Sequence, residues 1–312
     1  MDFIRINERC NRAMPLLTPL GVVLGLLIGS RLAAFKGTST LIFALITFIG
    51  ALGMSFAQFV EVLKRARSLL LVLFVAHIVL PVVIKMLALL VFPHDPEIVT
   101  GFILLSSIPI AVTSFIWSSI FSGNGPLSLS LILIDTLLSP ILTPFTVRLL
   151  SAASVNLDTR GMIASLVWMI VLPSLLGMAF NQYKPRLAKQ ATVYLNPVTK
   201  LFMIAVVVIN VGSLTDSLSL SLVYIPLILV NLMAMALSFA LIYVFARFVL
   251  KEDFASIVSM TFAGGMRNIS AALVLATTFF SANTALPVVL GILFQQTFVG
   301  FLGPLFFPRK RR

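Results

Sequence analysis

Three ionisable side chains, His77, Asp135 and Arg267, lie well inside long apolar stretches of this 312-residue sequence. A charge at the middle of a membrane helix is costly unless it faces a polar cavity or a partner, so such residues mark candidate sites for protons, ions or charged ligands. The other acidic residues, Asp2, Glu8, Glu61, Asp95, Glu97, Asp158, Asp216, Glu252 and Asp253, fall in tails or between apolar stretches. Asp135 is thus the one mid-span carboxylate, and Arg267 its natural counter-charge. Two readings of that pair stay open: a structural ion pair, or a pair serving an anionic ligand and proton linkage. Ser128, Asp135 and Ser139 repeat at helical spacing and define one polar stripe, with Thr136 beside it. His77 precedes Pro81 by four residues, and proline lacks the N–H that the His77 carbonyl would bind. A polar environment is expected there, with His77 either packing through a hydrogen bond or exchanging a proton.

The elements that must hold these residues follow from composition. Apolar residues make up 60% of the chain and charged residues 10%, against roughly 45–50% and about 25% in soluble domains. This excludes a soluble globule and leaves no room for an appended catalytic domain. Ten apolar segments can be marked, at about 15–33, 38–59, 68–92, 98–122, 126–150, 161–182, 195–213, 221–249, 254–279 and 285–307. The organisation expected is a tail over 1–14, a first five-helix unit over 15–150, a second over 161–307 and a basic tail over 308–312. Sixteen of the 22 Lys and Arg residues fall on the side that carries both termini and five on the other, which places both termini in the cytoplasm. The net charge of +12 is read as this topology signal, and no nucleic-acid partner is expected.

Segments four and nine are interrupted at corresponding places, by Ser106-Ser107-Ile108-Pro109 with Thr113-Ser114, and by Gly264-Gly265 with Arg267-Asn268. An odd number of helices per unit inverts the second unit relative to the first. Paired broken helices in such units point to a transport site near the midplane. Metalloprotease, nucleotide-binding and hydrolase motifs are missing, two histidines are too few for a metal site, and the single Cys10 excludes internal disulfides. No catalytic residue, metal or cofactor is expected. An intramembrane acid–base enzyme and a non-transporting scaffold remain as distant alternatives.

The stretches Gly101-Phe-Ile-Leu-Leu-Ser-Ser-Ile-Pro109, Gly123-Asn124, Thr136-Leu-Leu-Ser-Pro-Ile-Leu-Thr-Pro144, Leu172-Pro173 and Gly265-Met266-Arg267-Asn268 resemble the bile acid/sodium symporter (BASS) family. The resemblance implies an all-α integral membrane protein of ten helices in two inverted five-helix repeats. Helices 1, 2, 6 and 7 would form a panel and the rest a core, with helices 4 and 9 unwound and crossing. Substrate would lie between panel and core.

The departures are as informative as the matches. Sodium-coupled members read Glu-x-Gly-Met-Gln-Asn in the ninth helix, where this chain has Ala263-Gly264-Gly265-Met266-Arg267-Asn268, so the shared sodium carboxylate is gone. The family's Asn, Thr and Gln become Phe115, Ile132 and His77, while Ser114 and Ser128 match. A guanidinium beside such a site opposes sodium. The expectation is a secondary transporter of a small organic anion, a carboxylate, in the bacterial inner (plasma) membrane, with sodium coupling lost, proton linkage through His77 and Asp135, and a coupling and charge group made of Asp135, His77, Arg267 and Ser128. Substrate contacts are expected from Arg267, Asn268, Ser114, Thr113, Gly264 and Gly265. A sodium-coupled symporter or a facilitative exchanger is the alternative, and lipid is the expected surrounding partner.

Overall fold

The computed structural model describes residues 16–17, 19–57, 60, 66–152, 155, 157–215 and 224–308. The expected tails, with Cys10 and Arg309 to Arg312, lie outside the described residues. The elements are α1 (Pro19–Ile28), α2 (Thr38–Ala51), α3 (Ser68–Val91), α4 (Pro96–Ser107), α5 (Thr113–Ile120), α6 (Gly125–Leu150), α7 (Thr159–Tyr183), α8 (Pro185–Gly212), α9 (Tyr224–Val249), α10 (Phe254–Gly265), α11 (Ile269–Phe279) and α12 (Ala282–Phe306). The protein is an all-α membrane protein. Helices α3, α6, α7, α8, α9 and α12 have 24 to 28 residues each, enough at 1.5 Å per residue to cross about 30 Å of hydrocarbon.

Helix starts follow local chemistry. Asn124, Asp158, Asp253 and Ser281 accept backbone N–H groups at the beginnings of α6, α7, α10 and α12, the side-chain capping that satisfies one of the four orphan donors at each helix start. At Asp253 the Ser256 N–H and hydroxyl hold the carboxyl below its ordinary value of 3.8. A depressed folded-state pKa means that this cap is intact above the usual carboxylate range and is lost only as pH falls through the lowered value. Helix α8 begins ten residues before the apolar segment read from the sequence, because Pro185 starts a helix whose first turns are polar rather than apolar.

Packing divides the helices into two groups. Helix α2 lies on α7 and α8, and the turn after α1 also rests on α8. Gly21 and Gly25 let α1 approach α8 at Ile204 and Val208, and Gly177 lets α7 approach α2 at Phe48 and Ala51. Small residues at such spacing drive association in lipid, where burial alone gives helices no reason to pair. The second group is α3, α4, α6, α9, α10, α11 and α12, with α5 seated on α6 and α10. This is the panel and core division that the family resemblance implies. The groups meet at α8–α11 and α6–α7, where Thr277 donates to Asn210 at 2.7 Å and Asn210 donates to Ser39 at 2.8 Å.

Candidate functional site at the helix crossing

The segment-four interruption becomes a break between α4 and α5, and the segment-nine interruption a break between α10 and α11. Ile108 precedes Pro109 and is forced into extended backbone, which ends α4 at Ser107. Met266 is likewise extended after Gly265. The two breaks cross and pair as a minimal antiparallel bridge between Ile110 and Arg267. Ala111 N–H donates to Met266 O at 3.0 Å and Asn268 N–H to Pro109 O at 2.8 Å. Irregular backbone survives inside hydrocarbon only where its polar groups find partners, and here each break supplies the other.

Helix α6 completes that accounting. Asp135 accepts the Ile110 N–H at 2.5 Å through one carboxylate oxygen and bonds His77 Nε2 through the other. Thr143 donates to Ser107 O at 2.7 Å, capping the end of α4. The Asp135 side chain is fully buried, so the polar stripe read from the sequence faces the crossing at this residue.

The environment expected at His77 has a specific origin. Helix α3 contains a π turn over Val75–Val79 in which Leu80 N–H bonds Val75 O. Leu80 N–H is therefore withheld from Ala76 O, and Pro81, next in line for either Ala76 or His77, has no N–H. Arg267 fills the first gap, with Nη2 on Ala76 O at 2.6 Å, and its Nη1 reaches Ile108 O at 3.2 Å. Thr146 fills the second, donating to His77 O at 3.1 Å. Thr146→Val keeps the shape and removes this donor, so unfolding stability is expected to fall by about 1–2 kcal/mol. An unaltered melting temperature would show that the carbonyl finds another partner.

The expected ion pair between Asp135 and Arg267 is not made at contact distance. Asp135 pairs with His77, because the π turn and the proline leave carbonyls that attract the guanidinium, while the imidazole is already aimed at α6. His77 Nδ1 is buried and has no hydrogen-bond partner. With Nε2–H donating to Asp135, that nitrogen is the open position for a proton.

The remaining candidate residues divide. Thr113 and Asn268 stand at the starts of α5 and α11 and are partly exposed, and Val112, next to Thr113 in the chain, is 58% exposed. Asn268 caps α11 through the Ala271 N–H. Ser114 is fully buried and its hydroxyl is unpartnered. Ser128 is not with His77 and Asp135; it donates to Ser118, which bonds Ser259, in a chain ending on Asn124 O. Gly264 and Gly265 let α10 lie against Ile242 and Phe239 of α9, where a Cβ has no room, so packing alone requires glycine at both positions. Arg267, with its guanidinium on two backbone carbonyls and only 6% exposure, is turned into the core rather than toward the accessible ends of α5 and α11.

Two residues escaped the sequence reading. Gln295 of α12 accepts Arg267 N–H at 3.0 Å and donates to Arg267 O at 2.9 Å, fixing its backbone from both sides. Gln296 bonds Thr113 and Trp117 at 3.1 and 3.0 Å, fixing the start of α5. Their signal was two adjacent amides in an otherwise apolar span, which a search confined to ionisable groups passes over.

A broken-helix crossing with a buried charged cluster is the setting in which relatives become informative. The model of the Sodium Bile acid symporter family matches residues 40–221, more than half of the chain. The chain belongs to the sodium bile acid symporter family. It is 40% identical to the uncharacterised protein YbaS of Bacillus subtilis (strain 168), over 93% of this chain and 95% of that one. It is 27% identical to the probable sodium/metabolite cotransporter BASS1, chloroplastic, of Arabidopsis thaliana, over 90% of this chain and 70% of that one. A third relative, the uncharacterized sodium-dependent transporter YocS of Bacillus subtilis (strain 168), is 24% identical over 92% and 88% of the two chains. The family and these names identify the protein as a multi-pass membrane transporter, not an enzyme.

Proposed function

We propose that this family member carries a small organic anion by alternating access without sodium, with proton linkage through His77 and Asp135. One observation carries the reading: the Arg267 guanidinium occupies the carbonyls of Ala76 and Ile108 at the crossing, so a permanent cation supplies the positive charge that a mobile ion would otherwise bring. Of the positions where the sodium-coupled pattern has Glu, Thr and Asn, Ala263 is fully buried, Ile132 is buried and Phe115 is packed against the apolar core; none of the three offers a side-chain oxygen. Sodium requires hard oxygen ligands and is repelled by a guanidinium in a medium of low dielectric constant.

The anion is received at the partly exposed starts of α5 and α11, at Thr113 and Asn268, where helix dipoles concentrate positive potential. Arg267 adds to that field from behind. A proton at His77 Nδ1 would make the cluster net positive and favour the anion further, which links the two species without direct contact. The charge bias of the sequence supports cytoplasmic termini and a plasma-membrane location for this reading.

Uptake by proteoliposomes of a panel of radiolabelled mono- and dicarboxylates tests the reading. Exchange of potassium for sodium at constant ionic strength is expected to leave uptake and melting temperature unchanged, while an imposed pH gradient changes uptake. A saturable, sodium-specific rise in either quantity refutes it and favours a sodium-coupled symporter. Sodium-independent uptake that ignores the pH gradient favours a facilitative exchanger.

A further inference from the structure

Behind the crossing, on the side of α9, the core contains a cavity of about 30 Å³. Its polar lining comes from Ser106, Asn231, Ser238, Gln295 and Arg267, all buried. The donors among them are largely committed to protein. Ser106 gives its hydroxyl proton to Ile103 O at 2.9 Å, Ser238 to Ala234 O at 2.8 Å, and Gln295 its amide to Arg267 O. Asn231 donates to Leu227 O at 3.1 Å, which fixes the orientation of its amide, since a flipped oxygen would face that carbonyl. Its Oδ1 is then a fully buried acceptor with no partner in the protein. Arg267 presents the converse excess: two of its N–H groups bond protein carbonyls, and a guanidinium carries five.

We propose that this cavity is a water-binding site serving Asn231 and Arg267 together. The site needs a small neutral species that donates to Asn231 Oδ1 and accepts from the guanidinium. Water meets both demands. A sodium ion would meet the guanidinium charge, and a chloride would meet the lone pairs of Asn231, Ser106 and Ser238. At roughly 15 Å³ per molecule the space holds one or two waters. The bound water makes α9 a third element hydrogen-bonded to the Arg267 guanidinium, besides α3 and the break after α4. This inference concerns internal hydration and does not depend on the transport reading.

Met235 borders the cavity and supplies the reporter, because X-ray radiolysis of a bound water releases hydroxyl radicals beside its sulfur. Footprinting of the purified full-length protein, read by mass spectrometry, is expected to oxidise Met235 several-fold faster than Met162 and Met178, which are at least as buried but lie away from the cavity. Hydrogen peroxide in the dark should leave all three slow. Asn231→Leu, which fills the space, is expected to bring Met235 down to the rate of Met162; Ser238→Leu fills the same space should Asn231→Leu fail to fold. Met235 labelled no faster than the other two, or unaffected by the filling variants, overturns the proposal. So does fast oxidation by peroxide, which would mean access from bulk, or suppression by sodium or chloride relative to potassium gluconate, which would make the occupant an ion.

Discussion

Arg267→Ala is expected to lower stability by about 2–5 kcal/mol and to abolish uptake, the larger part of the loss coming from uncompensated buried groups. Removing the guanidinium orphans the carbonyls of Ala76 and Ile108, which lost their own helical partners to the π turn, Pro81 and Pro109. It also leaves Asp135 without a nearby positive charge. Arg267→Lys keeps the charge but cannot span two carbonyls as a rigid fork does, so it should recover part of the stability and less of the uptake. Since the alanine variant leaves free oxygens at the crossing, its melting temperature should rise with added sodium, whereas that of the unsubstituted protein should not. Thermal melts of the three proteins in sodium and in potassium decide the matter. An alanine variant as stable and as active as the parent would remove the tethered cation from the mechanism.

Asp135 separates charge from geometry. In Asp135→Asn the amide oxygen can still accept the Ile110 N–H, so the crossing should persist while the negative charge facing His77 disappears. The response of uptake to a pH gradient is then expected to vanish. In Asp135→Leu the Ile110 N–H is left buried and unpaired, which should cost a further about 1–3 kcal/mol relative to the asparagine variant. Melting temperatures of the two variants measure the geometric part, and gradient-driven uptake in Asp135→Asn measures the charge part. The groups that face His77 are Asp135 from α6, the Thr146 hydroxyl on its carbonyl and Arg267 on the neighbouring Ala76 carbonyl. A pH response that survives in Asp135→Asn would therefore leave His77 alone, or place the coupling proton outside this cluster.

The paired breaks were legible because proline and glycine act locally: Pro109 restricts Ile108 whatever surrounds it. Pro81 also announced an unsatisfied carbonyl at His77, and the structure supplies Thr146 as its partner. The partner of Arg267 was not legible in the same way. Charge complementarity alone selects Asp135, since no other mid-span carboxylate exists. The folded protein selects backbone carbonyls instead, because a π turn in α3 frees Ala76 O and the break after α4 frees Ile108 O. No residue type encodes that choice, as it depends on which register three helices adopt against one another.

By itself the sequence determined that the chain is an all-α membrane protein, that its mid-span ionisable residues number three, and that two apolar segments are interrupted, one at Pro109 and one next to Gly264-Gly265. Those outcomes follow from composition and from backbone constraints acting within a few residues. Only the tertiary structure decided that the breaks pair as a β-bridge, that Asp135 takes His77 and the Ile110 N–H, that Ser128 joins a separate hydroxyl chain, and that Gln295 holds Arg267. These are contacts between residues 10 to 157 positions apart, and in a low-dielectric interior each buried polar group takes the partner that packing brings within reach rather than the one of opposite charge.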